Sequence, residues 1–264
     1  YRCWKKRGHG EMNLHDALVQ SCDVYFYTLG HRLGIDNLAK YAKKIGLGEL
    51  TGVELKGEKP GLVPSTQWKK KIKNKPWYPG ETISASIGQG YNLVTPLQGV
   101  SMISAIANGG ILTRPYLVKK IEDSDGKLIQ EFFPEVRRNI EIDPKVLKLL
   151  KEGLRGVVYD VRGTGRRARL KNIIVSGKTG TAQVVGMKPS DEIDPEEEIP
   201  YLFRDHAWFV AFAPYDKPEV AVSVIIEHGG HGGETAAPIA KKILEAYFSY
   251  YPPPKNTRFG IDLN

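Results

Sequence analysis

Val175-Ser176-Gly177-Lys178-Thr179-Gly180-Thr181-Ala182-Gln183-Val184 is the stretch on which the reading of this chain turns. It follows the apolar run 170–175 and leads back into apolar residues, which reads as a strand. Gly177 and Gly180 remove side chains and let a ligand or another chain lie close to the backbone. Lys178 supplies a fixed positive charge, and Thr179 and Thr181 place hydroxyls on either side of a bare backbone N–H. That combination suits an extended peptide ending in a carboxylate. Taken alone, the stretch also fits an ordinary edge strand that carries a lysine, so the flanking segments have to decide.

On the C-terminal side, 207–213 and 220–227 read as two further strands. The turn His228-Gly229-Gly230-His231-Gly232-Gly233 then enters a helix running from Thr235 to Tyr250, with Pro238 acceptable in its first turn. The acidic run 191–198 reads as an exposed loop tip, and 252–264 as an irregular tail without periodicity. Trp208 and Tyr91 read as core or wall residues. His228 and His231 lack carboxylate or thiol company, so a tight turn suits them better than a metal site.

On the N-terminal side, Asp143-Pro144 caps a helix whose apolar positions run to Val158. Ser124-Asp125-Gly126 joins strand-like 117–121 and 128–133 into a hairpin. Thr95-Pro96 opens a helix that ends at Asn108-Gly109-Gly110. Residues 46–92 hold Gly, Pro, Trp and Lys with little periodicity, an ordered loop region of the kind that lines a site. Asp36 is expected to cap a helix through Ile45, closed by Gly46. Before it, Asn13 caps an amphipathic pattern of Leu14, Ala17, Leu18, Cys22, Tyr25, Phe26 and Leu29 that Gly34 ends. Ser21-Cys22-Asp23 interrupts that pattern with polar groups; one helix through Ser21 and two helices broken there are equally compatible with it. Helices first, then three strands closed by a helix, predict an α+β domain with an antiparallel sheet flanked by helices.

Composition is that of a globular chain able to bury a sizeable core: 264 residues, 41% hydrophobic and 26% charged. The formal net charge of +8 admits an anionic partner. Its clusters, Lys69-Lys70-Lys71 with Lys73 and Lys75, and the arginines of 162–169, do not interleave with aromatics as nucleic-acid modules do. They read as solvated faces, with no nucleic acid as partner. No run is long enough for a membrane span, and no signal peptide opens the chain. The start at Tyr1-Arg2-Cys3-Trp4 reads as a cut into something longer, so an anchor elsewhere stays compatible with it.

Ser21-Cys22-Asp23 in a helical region and Lys178-Thr179-Gly180-Thr181 on a strand together resemble two motifs of the penicillin-binding transpeptidases. Further segments resemble the penicillin-binding protein 2 branch: Trp77-Tyr78-Pro79-Gly80-Glu81-Thr82, Ser86-Ile87-Gly88-Gln89-Gly90 and Thr95-Pro96-Leu97-Gln98. His206-Ala207-Trp208-Phe209 and Ala236-Ala237-Pro238-Ile239-Ala240 extend the likeness over nearly the whole chain. The chain is thereby identified as similar to the elongation-type class B D,D-transpeptidases, over their penicillin-binding, serine-transpeptidase-like fold. One departure matters. The nucleophilic serine of a Ser-x-x-Lys motif is expected ahead of the Ser21 motif, and it is not here. Ser124-Asp125-Gly126-Lys127 has turn chemistry, and in Ser65-Thr66-Gln67-Trp68-Lys69 the lysine is misplaced. Residues 1–264 are therefore expected to be the C-terminal portion of a transpeptidase domain that begins after its nucleophile.

The resemblance implies roles. Acyl transfer needs an activated hydroxyl, a proton carrier and donors aimed at the developing oxyanion. Ser21 is implied as proton relay, Lys178 as the charge holding Ser21 and the substrate carboxylate, and Asp23 as an orienting group. Thr179, Gly180 and Thr181 are implied in substrate binding, with the Thr181 N–H completing the oxyanion hole. The implied partners are the peptidoglycan stem peptide, β-lactams that mimic it, and a membrane glycan polymerase reached through the parent protein. The implied place is the periplasmic face of the bacterial cytoplasmic membrane. A β-lactamase or carboxypeptidase on the same scaffold, or a non-catalytic sensor domain, are the rival readings.

Cys3, His9 and Cys22 gather two thiols and an imidazole on the segment entering the Ser21 motif. That donor set favours structural zinc, its fourth ligand coming from upstream or from water. The resemblance points the same way, since some elongation-type enzymes carry a metal site there. A Cys3–Cys22 disulfide and two unrelated thiols are the competing readings.

Overall fold

The computed structural model describes residues 1–184 and 199–252. The expected acidic loop tip at 191–198 and the tail from 253 onward lie outside the described residues. The α+β expectation holds: helices lead, and a three-stranded antiparallel sheet closed by a helix follows.

The pattern around Ser21 resolves into two helices, α1 (Leu14–Val19) and α2 (Asp23–Leu33). Asn13 caps α1 by accepting the Asp16 N–H at 2.8 Å. Next comes α3 (Ile35–Lys44), and here the expected cap is corrected: Gly34 holds the cap position. Asp36 sits in the first turn and accepts the Thr66 N–H at 2.9 Å and its hydroxyl at 2.7 Å. The expected loop region carries two short helices, α4 (Thr66–Lys73) and α5 (Pro79–Ala85). Ser65 caps α4, accepting the Trp68 N–H at 3.0 Å.

Lys69 also departs from expectation. It is not part of a solvated face; it is 1% exposed. Its ammonium pairs with Glu81 and lies 4.4 Å from the Tyr78 ring centroid. Glu81, itself partly exposed, in turn accepts the Tyr78 N–H at 2.8 Å, so an ion pair with a buried lysine ties α4 to the start of α5. A charge this deep is tolerated only when paired and hydrogen-bonded.

α6 (Pro96–Ala107) begins with a reciprocal cap between Thr95 and Gln98. Four short strands follow: β1 (Ile111–Arg114), β2 (Lys120–Glu122), β3 (Leu128–Glu131) and β4 (Glu135–Asn139). β2 and β3 form the expected hairpin, while β1 and β4 pair antiparallel, which the sequence pattern did not disclose. The chain then runs through α7 (Pro144–Tyr159), β5 (Ser176–Ala182), β6 (His206–Ala213), β7 (Val220–Ile226) and α8 (Ala236–Tyr250).

β6 is the middle strand, in the order β5-β6-β7. It is buried on both faces, which is why it reads as an unbroken apolar run. Phe209, Ala211 and Ala213 pack with Ala236, Ala240 and Leu244 of α8, whereas Phe212 packs with Ile103 of α6 and Leu154 of α7. α7 also carries α1. A side-chain carbon at Gly153 would stand 2.7 Å from Leu18, and one at Gly156 2.6 Å from Val19. Those two glycines let α1 lie flat on α7, and α7 packs along β5. Ser21 is thus referenced to Lys178 through two layers of packing.

Candidate active site

Ser21 sits in the turn between α1 and α2 with φ +52°, a left-handed conformation that costs a non-glycine residue about 1–2 kcal/mol. The turn is held from both sides. The Ser21 N–H donates to Leu18 O at 3.3 Å and the Cys22 N–H to Ala17 O at 2.9 Å. From outside, the Trp4 indole N–H donates to Gln20 O at 3.1 Å and Ser21 O at 2.9 Å. The Trp4 backbone N–H donates to Asp23 Oδ2 at 3.1 Å. Asp23 stands in the first turn of α2, where a negative charge opposes the positive end of the helix dipole.

The Lys178 ammonium donates to Ser21 Oγ at 2.8 Å and to the carbonyl of Thr179 at 2.9 Å. Desolvation lowers the Lys178 pKa from 10.5 to about 8, against a smaller upward pull from the Asp23 carboxylate. The two expected motifs therefore meet, and the cation between them lies close enough to neutrality to hold or pass a proton. Thr179 and Thr181 continue the same strand, opposite Phe209 and Ala207 of β6. Gly180 faces a second backbone: a side-chain carbon at Gly232 would lie 2.4 Å from Gly180 O and 2.1 Å from Trp208 O. The glycine turn before α8 thus rests directly on the middle of β5, a closeness that no other residue at Gly232 permits.

Two contributors were not singled out by sequence reasoning. Thr164 shares a hydroxyl–hydroxyl hydrogen bond with Thr179 at 2.9 Å, and its N–H donates to Val19 O at 3.3 Å. One residue thereby touches both β5 and the end of α1. Its only sequence signal is the pair of flanking glycines; a side-chain carbon at Gly163 would stand 2.4 Å from Val157 O. Gln89 reaches β5 from the other direction, donating to Thr181 O at 2.7 Å and accepting the Gln183 N–H at 3.3 Å.

His228 and His231 do not form a metal site with acidic or thiol partners among the described residues. His228 instead packs edge-on against His206, ring centroids 4.7 Å apart, and its backbone N–H donates to His206 Nδ1 at 2.9 Å.

Cys3, His9 and Cys22 do come together, their ligand atoms all within 4.8 Å of one another. Cys3 Sγ lies 3.4 Å from His9 Nδ1, both thiols are free, and Trp4 packs edge-on against the His9 ring. Burial pushes the Cys22 thiol up, reinforced by Cys3, and burial together with the Lys5 charge holds the His9 imidazole down. An imidazole and two thiols that a cation would deprotonate are a donor set that could hold a metal ion, given one further ligand.

The penicillin binding protein transpeptidase domain family matches residues 1–245. The peptidoglycan D,D-transpeptidase MrdA of Haemophilus influenzae is 38% identical over 257 residues, 94% of this chain and 38% of the relative. The crystal structure of Pseudomonas aeruginosa PBP2 in complex with WCK 5153 superposes with a TM-score of 0.80 at 36% identity, covering 96% of this chain and 55% of that one. A structure described as the coordination of polymerization and crosslinking by a peptidoglycan synthase complex gives a TM-score of 0.76 at 35% identity, over 97% of this chain and 41% of that one. The chain spans well under half the length of the curated relatives it matches. A lysine on a strand reaching the serine of a helix–helix turn, inside this fold and with these relatives, places the chain in one family: it belongs to the penicillin-binding protein transpeptidase domains.

Proposed function

We propose that residues 1–264 are the C-terminal portion of a serine-type peptidoglycan D,D-transpeptidase domain, one that cross-links stem peptides and is acylated by β-lactams. The observation that carries this reading is the 2.8 Å bond from Lys178 Nζ to Ser21 Oγ. The longer protein supplies the nucleophile, a serine of a Ser-x-x-Lys segment. Its oxygen attacks the carbonyl between two D-alanines as its proton passes to the lysine of that segment. The C–N bond breaks, and the terminal D-alanine leaves as an amine after that proton is relayed to its nitrogen through Ser21. The acyl ester then passes to the amine of a neighbouring strand, which regenerates the serine.

The residues of this chain take defined parts in that sequence. Because the Lys178 ammonium donates to Ser21 Oγ, the Ser21 hydroxyl hydrogen turns elsewhere and is free to move to the leaving amine. Lys178 also attracts the substrate carboxylate, and Asp23 partly offsets the desolvation of that cation. Thr179 and Thr181 bind the carboxylate, with the Thr179 hydroxyl oriented by Thr164. Gly180 lets the peptide lie against the backbone, and the Thr181 N–H faces the oxyanion. Cys3, His9 and Cys22 would hold a structural zinc ion with a fourth ligand from the preceding segment. Its contribution is to brace the turn that carries Ser21. The partners are the stem peptide and a membrane glycan polymerase at the periplasmic face of the cytoplasmic membrane. Among the described residues no helix is long and apolar enough to cross a membrane.

The test is acylation of the full-length protein by a fluorescent penicillin, followed by product analysis with and without an acceptor amine. Labelling on the upstream serine, abolished by a β-lactam competitor, together with a cross-linked product is expected. Hydrolysis alone in the presence of acceptor excludes the transpeptidase.

A further inference from the structure

β5 pairs with β6 along one edge. In a strand the N–H and C=O of one residue point to the same side, and alternate residues share that side. Gln89 donates to Thr181 O and accepts from the Gln183 N–H, so Thr179, Thr181 and Gln183 turn their backbone groups to the edge away from β6. This is the edge an extended peptide would join. One N–H and one C=O bridging residues two apart is the pattern that a single residue of a parallel neighbour makes. The Gln89 side chain therefore imitates one residue of an added strand.

That imitation is built rather than incidental. The Gln89 N–H donates to Ser84 O at 3.1 Å. Asn92 Nδ2 donates to Gln89 O at 3.0 Å and to Ala85 O at 3.2 Å. The turn after α5 is thus pinned, and the amide it carries is half-buried.

We infer that Gln89 is a positioning residue that closes the open edge of β5 immediately beyond Thr181. A donor peptide then pairs with Thr179 to Thr181 and no farther, and the Thr181 N–H is fixed as the last donor on that edge. The inference rests on the transpeptidase reading above. It makes Gln89 act through the Thr181 backbone, without touching the reacting atoms.

The test uses the full-length protein and acylation by a fluorescent penicillin, read as saturating rate and half-saturating concentration. Gln89→Met keeps the length of the side chain and removes both hydrogen bonds. It should lower the saturating rate about tenfold, with a smaller change in half-saturation. Gln89→Glu supplies the sharper readout. As a carboxylate it accepts from Gln183 but repels Thr181 O; once protonated it both accepts and donates. Its rate relative to wild type should therefore rise about threefold or more between pH 7.5 and pH 5, a recovery that loss of packing does not produce. A Gln89→Met rate at or above wild type, or no acid recovery in Gln89→Glu, overturns the inference; a faster Met variant marks Gln89 as a plug that substrate displaces. Failure of wild-type protein to label at all overturns the transpeptidase reading instead.

Discussion

Burial leaves Lys178 with a pKa of about 8, and its charge is what the proposed chemistry uses. Raising the pH is then a clean perturbation. At pH 9.5 a lysine of ordinary pKa 10.5 is about 90% charged, whereas one at 8 is about 3% charged, a roughly 30-fold difference in the active form. The acylation rate of the full-length protein should hold below pH 8 and then fall about tenfold per unit. Lys178→Arg keeps the charge at every pH of the assay. That variant should be slower overall, since its fork does not reproduce the 2.8 Å contact with Ser21 Oγ, but its profile should stay flat to pH 9.5. The assay is stopped-flow acylation by a fluorescent penicillin between pH 6 and 9.5, each point checked for native fluorescence. A wild-type profile flat to pH 9.5 refutes the reasoning, and so does an arginine variant with the same break. The shift carries the opposite sign for stability. Below pH 8 the fold bears the full cost of a buried charge, and it gains stability as pH rises from about 8 towards 10.5 because the unfolded chain still binds the proton.

Three further outcomes are expected. Lys69→Met leaves the partly exposed Glu81 without its cation but still accepting the Tyr78 N–H, and should cost about 1–3 kcal/mol on urea unfolding, whereas Lys69→Met with Glu81→Gln should recover most of that loss. Trp4→Phe removes the indole donor from Gln20 O and Ser21 O. It should lower stability by about 1 kcal/mol and slow acylation about fivefold as the strained turn relaxes; unchanged acylation contradicts the clamp. Protein purified without chelator should contain zinc by elemental analysis, lost in His9→Ala, and chelation should speed thiol labelling of Cys3 and Cys22; metal-free protein that acylates normally would dispose of the zinc site.

Local signals carried much of the fold. Asp143-Pro144 and Thr95-Pro96 announce helix starts through neighbours two or three residues away, and those starts stand where expected. β6 announces itself because both of its faces are apolar. β4 does not: Glu135-Val136-Arg137-Arg138-Asn139 shows no alternation, and its arginines are held by Glu49 at 3.1 and 3.2 Å from far back in the chain. Lys69 looked like one of five solvated lysines, because nothing within α4 reveals a partner at Glu81. Ser21 and Lys178 were legible through their motifs. Thr164 and Gln89 were not, since a threonine between glycines and a glutamine in a turn acquire meaning only from the strand they touch.

Ser21 and Lys178 are 157 residues apart in sequence. Closing a loop of that length costs on the order of 4–5 kcal/mol of chain entropy, more than any single hydrogen bond returns. The contact alone therefore does not offset that closure; it depends on the packing of α7 against both α1 and β5. During synthesis from the N-terminus, the serine turn emerges long before its cation and waits without it. A nascent or proteolytically shortened chain that ends before β5 carries one half of the site with nothing opposite. The two halves of the candidate site face each other only once the sheet is complete.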